Sequence, residues 1–494
     1  MGGTTTIHAI STLPKITMRQ SILILAKTGF IIRDLLLGRF AEELMHDFDL
    51  IAAVPNKNDK ALIQFFDGKP VTLLQFLAAR HPVGNIERYL GTQHWVYRLK
   101  QTQLNNSSME INTLLLKSAY TPRQKALVNT MLLAGKMIKT LGFQDLAEDL
   151  VLAKFSNWEF TQHWLDVLKG LKPEFVVATM LTLPDGLFLP SADLPIVLAA
   201  RKLGIRVGHL VQSWDNLSSK AYILPTWMDR HWTWSDAMSD DLVRFNPRIN
   251  KKRIKMVGSP HYDFHRDSSI LENRESYMET IGLDPGSPYI VIGTGTKNMF
   301  PDAPESIRGL VFKILQRLPG LQILIRIHPK DDLARWAPLV QELNTRRVVF
   351  QNPAPPISMD LGGFIEPKKF FFEQINTIKH AAVVVNVSSS LSVDAAILDC
   401  PVISLCYDKN PDPRFPEGRA LSYNHSEHFK PIIESGGIWP VYSEEECIDA
   451  IRGCIENPGL RRNERARIAH MIGGPLDGQA GMRLAQDIRE ILAT

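Results

Sequence analysis

Cysteine is scarce, with four residues in 494 (Cys400, Cys406, Cys447 and Cys454) and no C-x-x-C spacing among them. That excludes a disulfide framework or a cysteine-ligated zinc module and fits small core thiols in a reducing compartment. Long apolar runs are missing as well. The nearest candidate, Val176 to Ala200, is interrupted by Pro184, Asp185, Pro190, Asp193 and Pro195, so no transmembrane helix is expected. The amino terminus lacks a secretory pattern, because the apolar run Ile22 to Ala26 is too short and leads directly into a strand. The expected location is cytoplasmic, at most touching the inner face of the membrane. No G-x-x-x-x-G-K-[ST] loop occurs, and Gly293-Thr294-Gly295-Thr296 is followed by Asn298 where a dinucleotide fingerprint needs its third glycine. P-loop ATPases and ordinary NAD enzymes are thereby set aside. The one D-x-D, Asp47 to Asp49, borders a strand and reads as a solvated turn, so no motif calls for a metal or a cofactor. A net charge of +4 gives no reason to expect nucleic acid. No internal period points to a solenoid.

What is present is the composition of a globular protein, 45% hydrophobic and 22% charged, in a chain long enough for several domains. Strand-like runs at Ser21 to Ala26 and Leu50 to Val54 are followed by helical spacing over about 57–170, including an apolar stripe Leu127, Met131, Ala134, Ile138 and Leu141 that suits core packing. Strands resume at Phe175 to Ala178 and Val207 to Gln212 around a helix Leu194 to Leu203 stopped by Gly204. After a turn-rich passage, strands recur at Tyr289 to Ile292, Gln322 to Ile327, Arg347 to Phe350, Ala382 to Val387, Val402 to Leu405 and Ile438 to Tyr442, separated by helical segments. Successive βα units predict parallel sheets covered on both faces. The expected division is an α/β domain over 1–270 with a helical insertion, a second over 271–476, and a terminal helix over 477–494 that can pack back on the first.

The chemistry concentrates at strand ends. His328 and Pro329 follow a central strand in the run RIHPKDD, where the imidazole, with Arg326 and Lys330, can meet a phosphate. Ser388, Ser389, Ser390 and Ser392 follow another strand and open a helix, whose free amides and hydroxyls suit an anion, although serines there also serve as helix caps. Asp394, one turn on, suits ribose hydroxyls, and Gly293, Thr294, Gly295 and Thr296 let backbone amides approach a pyrophosphate. In the first half, Asp215 in the run QSWDNLSSK is the leading candidate for a general base, against an ordinary turn or cap role, with Asp34 and His209 next in order. Lys27, Gly29, Arg33, Trp214 and Asn216 are expected to line the acceptor side of the cleft. Trp227, Trp232 and Trp234 beside Arg230 and His231 suggest peripheral membrane or sugar contact, against the commoner fate of burial.

Taken together, the HP pair His328-Pro329, the serines Ser388 and Ser389, and the ending DGQAGMR (Asp477 to Arg483) resemble the GT-B glycosyltransferases, notably CDP-glycerol glycerophosphotransferase-like and HP/SS-motif bacterial surface-polysaccharide enzymes. The resemblance runs from about Arg206 to Arg483. It implies two facing Rossmann-like, doubly wound domains, a nucleotide-linked donor of CMP, CDP or UDP type contacted at its phosphate by His328 and the serines, and a carbohydrate or lipid-linked acceptor. The implied reaction is metal-independent transfer of a sugar or polyol phosphate to a hydroxyl, with Asp215 and His328 as catalytic candidates. A nonhydrolysing UDP-sugar 2-epimerase on the same scaffold is the alternative, against which stands the lack of an H-R-x-E-N-type stretch. A non-catalytic nucleotide-sugar-binding protein is the third reading.

Overall fold

The computed structural model describes residues 19–76, 121–179, 181, 193–219, 222, 224–297, 299–329, 331–343, 345–352, 371–415 and 417–494. Two all-parallel sheets organise them. The first contains β1 (Ser21–Leu25), β2 (Asp49–Val54), β3 (Val71–Gln75), β4 (Phe175–Ala178), β5 (Arg206–Leu210), β6 (Arg230–Thr233) and β7 (Ile254–Met256), in the order β3-β2-β1-β4-β5-β6-β7. The second contains β8 (Tyr289–Gly293), β9 (Gln322–Arg326), β10 (Val348–Gln351), β11 (Val383–Asn386), β12 (Val402–Leu405) and β13 (Ile438–Val441), in the order β10-β9-β8-β11-β12-β13. Runs such as SILIL, YIVIG and VVVN are buried along their whole length, as a strand covered by helices on both faces must be. In each sheet the chain starts near the middle, winds outward, and then crosses to the other side. This leaves a switch point between β1 and β4 and another between β8 and β11, the places where such sheets open a crevice beyond their carboxyl ends.

Three strands depart from the sequence expectation. β3 lies inside the stretch expected to be helical, and β6 and β7 are short runs rich in basic residues whose strand character comes from pairing with buried neighbours. The helical part of that stretch is real, with helices Pro122–Thr140, Gln144–Ser156 and Glu159–Leu171. Its apolar stripe is not all core: Leu141 is 61% exposed, Ala134 and Ile138 are half-buried, and the side chains of Leu127 and Met131 lie outside the described set. Trp232 and Trp234 are buried rather than presented to a membrane or sugar, and the Trp232 indole donates to Asp487 at 2.6 Å. No helix among the described residues is long and apolar enough to cross a membrane. All four cysteines are free and buried, and burial pushes the thiols of Cys400 and Cys406 up to about 12.

The terminal helix Ala480–Leu492 crosses to the first sheet's flank, where a Cβ on Gly481 would stand 2.7 Å from the backbone nitrogen of Phe40. Its buried Asp487 also pairs with Arg230 at 2.9 Å and Lys255 at 2.8 Å. At the helix start, the Asp263 carboxylate accepts the amides of Ala480 and Gly481 at 2.9 and 2.8 Å, an N-terminal anion supplied from a distant part of the chain. Arg483 donates to the Val257 carbonyl at 2.8 Å and pairs with Asp477 at 2.7 Å. The DGQAGMR element thus fastens the end of the chain to the turn after β7.

Candidate active site

The ends of β8, β9 and β11 form one compact surface. Thr294 N–H donates to the Arg326 carbonyl at 3.2 Å, and the Thr294 hydroxyl accepts the backbone N–H of His328 at 2.9 Å, which joins the GTGT loop to the HP turn. Gly295 has φ +66°, and a Cβ there would stand 2.7 Å from Val387. A Cβ on Gly293 would likewise stand 2.7 Å from Leu391 of the serine helix Ser390–Ile397. Both glycines therefore let the loop lie against the serine turn, a packing requirement that a sequence pattern alone presents as a phosphate loop.

The four serines have different situations. Ser389 is the N-cap, its hydroxyl accepting the Leu391 amide at 3.3 Å, and Ser390 is the exposed first residue of the helix. The Ser388 hydroxyl is buried at the switch point and has no hydrogen-bond partner among the described residues. Ser392 is tied to Asn386 at 3.0 Å, inside the domain. His328 and Pro329 are half-buried beside this surface, and Lys330 lies outside the described residues. Arg326 departs from expectation: it is buried, its guanidinium donates to Gln351 on β10 and lies 3.8 Å from Glu373. Its charge is thus held by Gln351 at the end of β10 and by Glu373, which opens the helix Glu373–Lys379.

On the first-domain side, Lys27 also departs from expectation. Its ammonium is fully buried 2.5 Å from Asp193, whose other oxygen accepts the Thr179 amide at 2.8 Å, so the pair joins the ends of β1 and β4 beneath the cleft. Gly29 opens a short helix capped by Thr28. Asp215 receives the hydroxyls of Ser213 and, at 2.9 Å, Ser219, while its carbonyl accepts the Ser219 amide, the geometry of a capped turn. Asn216 is buried and donates to the Tyr222 hydroxyl at 3.2 Å. Trp214 stacks edge-on against His428 of the second domain at 5.1 Å between centroids. His209 is a core residue; burial, followed by neighbouring His231, lowers its pKa well below the usual value.

Of the first-domain residues singled out from sequence, Arg33 and Asp34 are the two that reach a cluster shared by both domains. Arg33 Nε lies 2.5 Å from Asp34 Oδ1, and its Nη2 lies 2.6 Å from His261 Nδ1. His261 Nε2 and His265 Nε2 each lie 3.5 Å from Asp394 Oδ1, while Gln374 donates to Asp394 Oδ2 at 2.7 Å. Phe371 closes one side, with the Arg33 guanidinium 4.3 Å above its ring and the two imidazoles at 4.9 and 5.5 Å. Burial pushes the Asp34 carboxyl up, but Arg33 and His261 outweigh it and hold the pKa below the usual range. Asp394 is likewise lowered, its histidine neighbours overcoming burial. Burial and Arg33 oppose protonation of His261, yet Asp34 and Asp394 on either side leave its pKa raised. In the neutral ring, the contact to Arg33 at 2.6 Å makes Nδ1 the acceptor and places the proton on Nε2, facing Asp394. Burial lowers His265 and keeps it neutral.

His261 and His265 were missed in the sequence, although H-x-x-x-H in HYDFH was legible as two imidazoles one helical turn apart. Nothing in the local pattern ties them to Asp394, which belongs to the other domain and faces them instead of solvent.

The architecture is that of two Rossmann-like parallel-sheet domains meeting at their carboxyl ends, the GT-B arrangement. Solved structures share it across nearly the full chain. S. aureus MnaA, in a co-structure with UDP, is 11% identical, with 96% of this chain and 97% of that chain covered at a TM-score of 0.53. The UDP-GlcNAc 2-epimerase of Methanocaldococcus jannaschii is 16% identical, with 96% and 100% covered at 0.51. That of Neisseria meningitidis, bound to UDP-GlcNAc, is 12% identical, with 95% and 99% covered at 0.50. At such identities the likeness establishes the fold. No protein-family pattern matches the sequence, and no curated protein matches it.

Proposed function

We propose that this protein is an enzyme acting on a nucleotide-linked sugar, UDP-type first, with the phosphates at the β8/β11 switch point and the sugar turned toward Asp34, His261 and Asp394. One observation carries the reading: the serine turn caps the same short helix that carries Asp394 of the acid–base cluster one turn further on. Ser389 and Asp394 are five residues apart, ~7 Å along a helix axis, about the distance from a diphosphate to the sugar it carries. Ser388, with its buried hydroxyl unpartnered among the described residues, together with the helix amides and His328, supplies the donors for the phosphates.

Of the two reactions that suit this arrangement, epimerisation is the one supported by the names of the fold neighbours. It needs a base to take a proton from one face of a sugar carbon and an acid to return one to the other, and an Asp34–His261 pair beside Asp394 provides both kinds of group. Transfer to a hydroxyl is the second reading, supported by the HP and serine motifs and by the DGQAGMR ending. It places the base at Asp34 or Asp215.

Incubation with UDP-N-acetylglucosamine in deuterium oxide, followed by proton NMR, separates them. Epimerisation exchanges solvent deuterium into the sugar without an acceptor, whereas transfer leaves the sugar protons in place and releases nucleotide once an acceptor is added. A nucleotide at ~100 times its dissociation constant should stabilise the fold by about 2.7 kcal/mol. Absence of both exchange and thermal stabilisation by UDP, CDP and CMP would sink the proposal.

A further inference from the structure

The group His261, His265 and Asp394 has the composition and spacing of a transition-metal site. Two imidazoles and a carboxylate present one ligand atom each within 4.8 Å of one another. Both histidine-to-carboxylate separations are 3.5 Å, long for a charge-assisted hydrogen bond. They are close to the edge of a tetrahedron of ligands around zinc, about 3.4 Å for bonds of ~2.1 Å.

A second observation is independent of spacing. The His265 side chain is fully buried; among the described residues Nδ1 has no hydrogen-bond partner, and Nε2 meets only Asp394 Oδ1, at 3.5 Å. A neutral imidazole left so is costly in a protein interior, and a metal ion is a direct way to satisfy its Nε2.

The surroundings also suit ligands held in place from behind. Gln374 fixes the far oxygen of Asp394, and Asp34 Oδ1 lies 3.4 Å from His261 Nδ1, the position from which an outer carboxylate orients a metal-bound histidine. With an ion on Nε2 the ring proton moves to Nδ1, which turns from Arg33 to Asp34.

We propose that His261, His265 and Asp394 bind one divalent transition-metal ion of the zinc class, joining the segment after β7 to the serine helix and leaving its remaining coordination position toward the cleft. The site deepens the active-site reading and rests on it only for what the ion would do there. Its existence is tested without turnover, and the nucleotide measurements test the other reading separately.

The full chain, stripped with chelator, is titrated with Co²⁺ and followed by its visible d–d absorption. One equivalent should bind with the intense bands of a four-coordinate ion, and Zn²⁺ should displace it. His265→Gln and Asp394→Asn should abolish the bands, whereas Asp34→Asn should weaken binding by about 10- to 100-fold while keeping them. His470→Gln, at an exposed histidine, should change nothing. Because the ligand variants are buried, their folding is checked by melting without metal, and His261→Gln, at the least buried of the three ligands, provides a third loss-of-site variant. Failure of the native chain to take up Co²⁺ with these bands, or retention of them in folded His265→Gln, would overturn the proposal.

Discussion

Ser388 and Ser389 are adjacent and chemically identical, yet the structure gives them opposite thermodynamic signatures. Ser389 caps the helix Ser390–Ile397, so Ser389→Ala should cost about 1 kcal/mol of stability. In a domain of this size that lowers the melting temperature by about 2–4 °C. Ser388 has a buried hydroxyl with no partner among the described residues, so Ser388→Ala removes a polar group that makes no hydrogen bond there and should be neutral or slightly stabilising. If that hydroxyl donates to a phosphate, its loss removes a hydrogen bond to a charged group, about 1.5–3 kcal/mol. Affinity for the nucleotide then falls ~10- to 150-fold. Melting curves and calorimetric titration with UDP and CDP on both variants read these quantities directly. A Ser388→Ala protein that melts several degrees lower but binds nucleotide unchanged would refute the reasoning and reduce the serine turn to a structural cap.

His328→Ala should weaken nucleotide binding with little change in melting temperature, because the His328 backbone, not its ring, carries the bond to Thr294; calorimetry reads the affinity. Asp34→Asn should cost ~100-fold or more in turnover, whereas Asp215→Asn should leave it within severalfold, and the reverse order would return the base to Asp215. Lys27→Met strands the buried Asp193 and should destabilise by about 3–5 kcal/mol in chemical denaturation, while Lys27→Met with Asp193→Leu should recover most of the loss. Asp408 is raised to about 6 by burial and by Asp302 nearby. Its contribution to stability is therefore full below the unfolded carboxylate pKa of about 3.9 and is lost as pH rises through about 6. Asp408→Asn should flatten that part of the melting-temperature profile, and an unchanged slope would remove the assignment.

Much of the fold was legible because strands buried on both faces must be apolar throughout, and ten such runs are readable in one pass. Phe175–Ala178 and Val402–Leu405 have the expected ends, and the others differ by a residue or two. Val71–Gln75, Arg230–Thr233 and Ile254–Met256 escaped because they are short or polar and owe their form to the neighbour they pair with. The HP turn, the GTGT loop and the serine turn were legible as strand-end chemistry, and their placement together follows from the winding of a parallel sheet. Side-chain commitments were not legible. Lys27 and Arg326 look like cleft cations in one dimension, but Lys27 is claimed by Asp193 and Arg326 by Gln351 and Glu373. The same limit hid the centre of the site. The sequence by itself determined that two sheets of this kind form and which loops end at their carboxyl edges, because periodicity and turn chemistry are local. Only the tertiary structure decided that Asp34, His261, His265 and Asp394 share one buried cluster, because charge pairing and desolvation depend on what faces a group across the gap between domains.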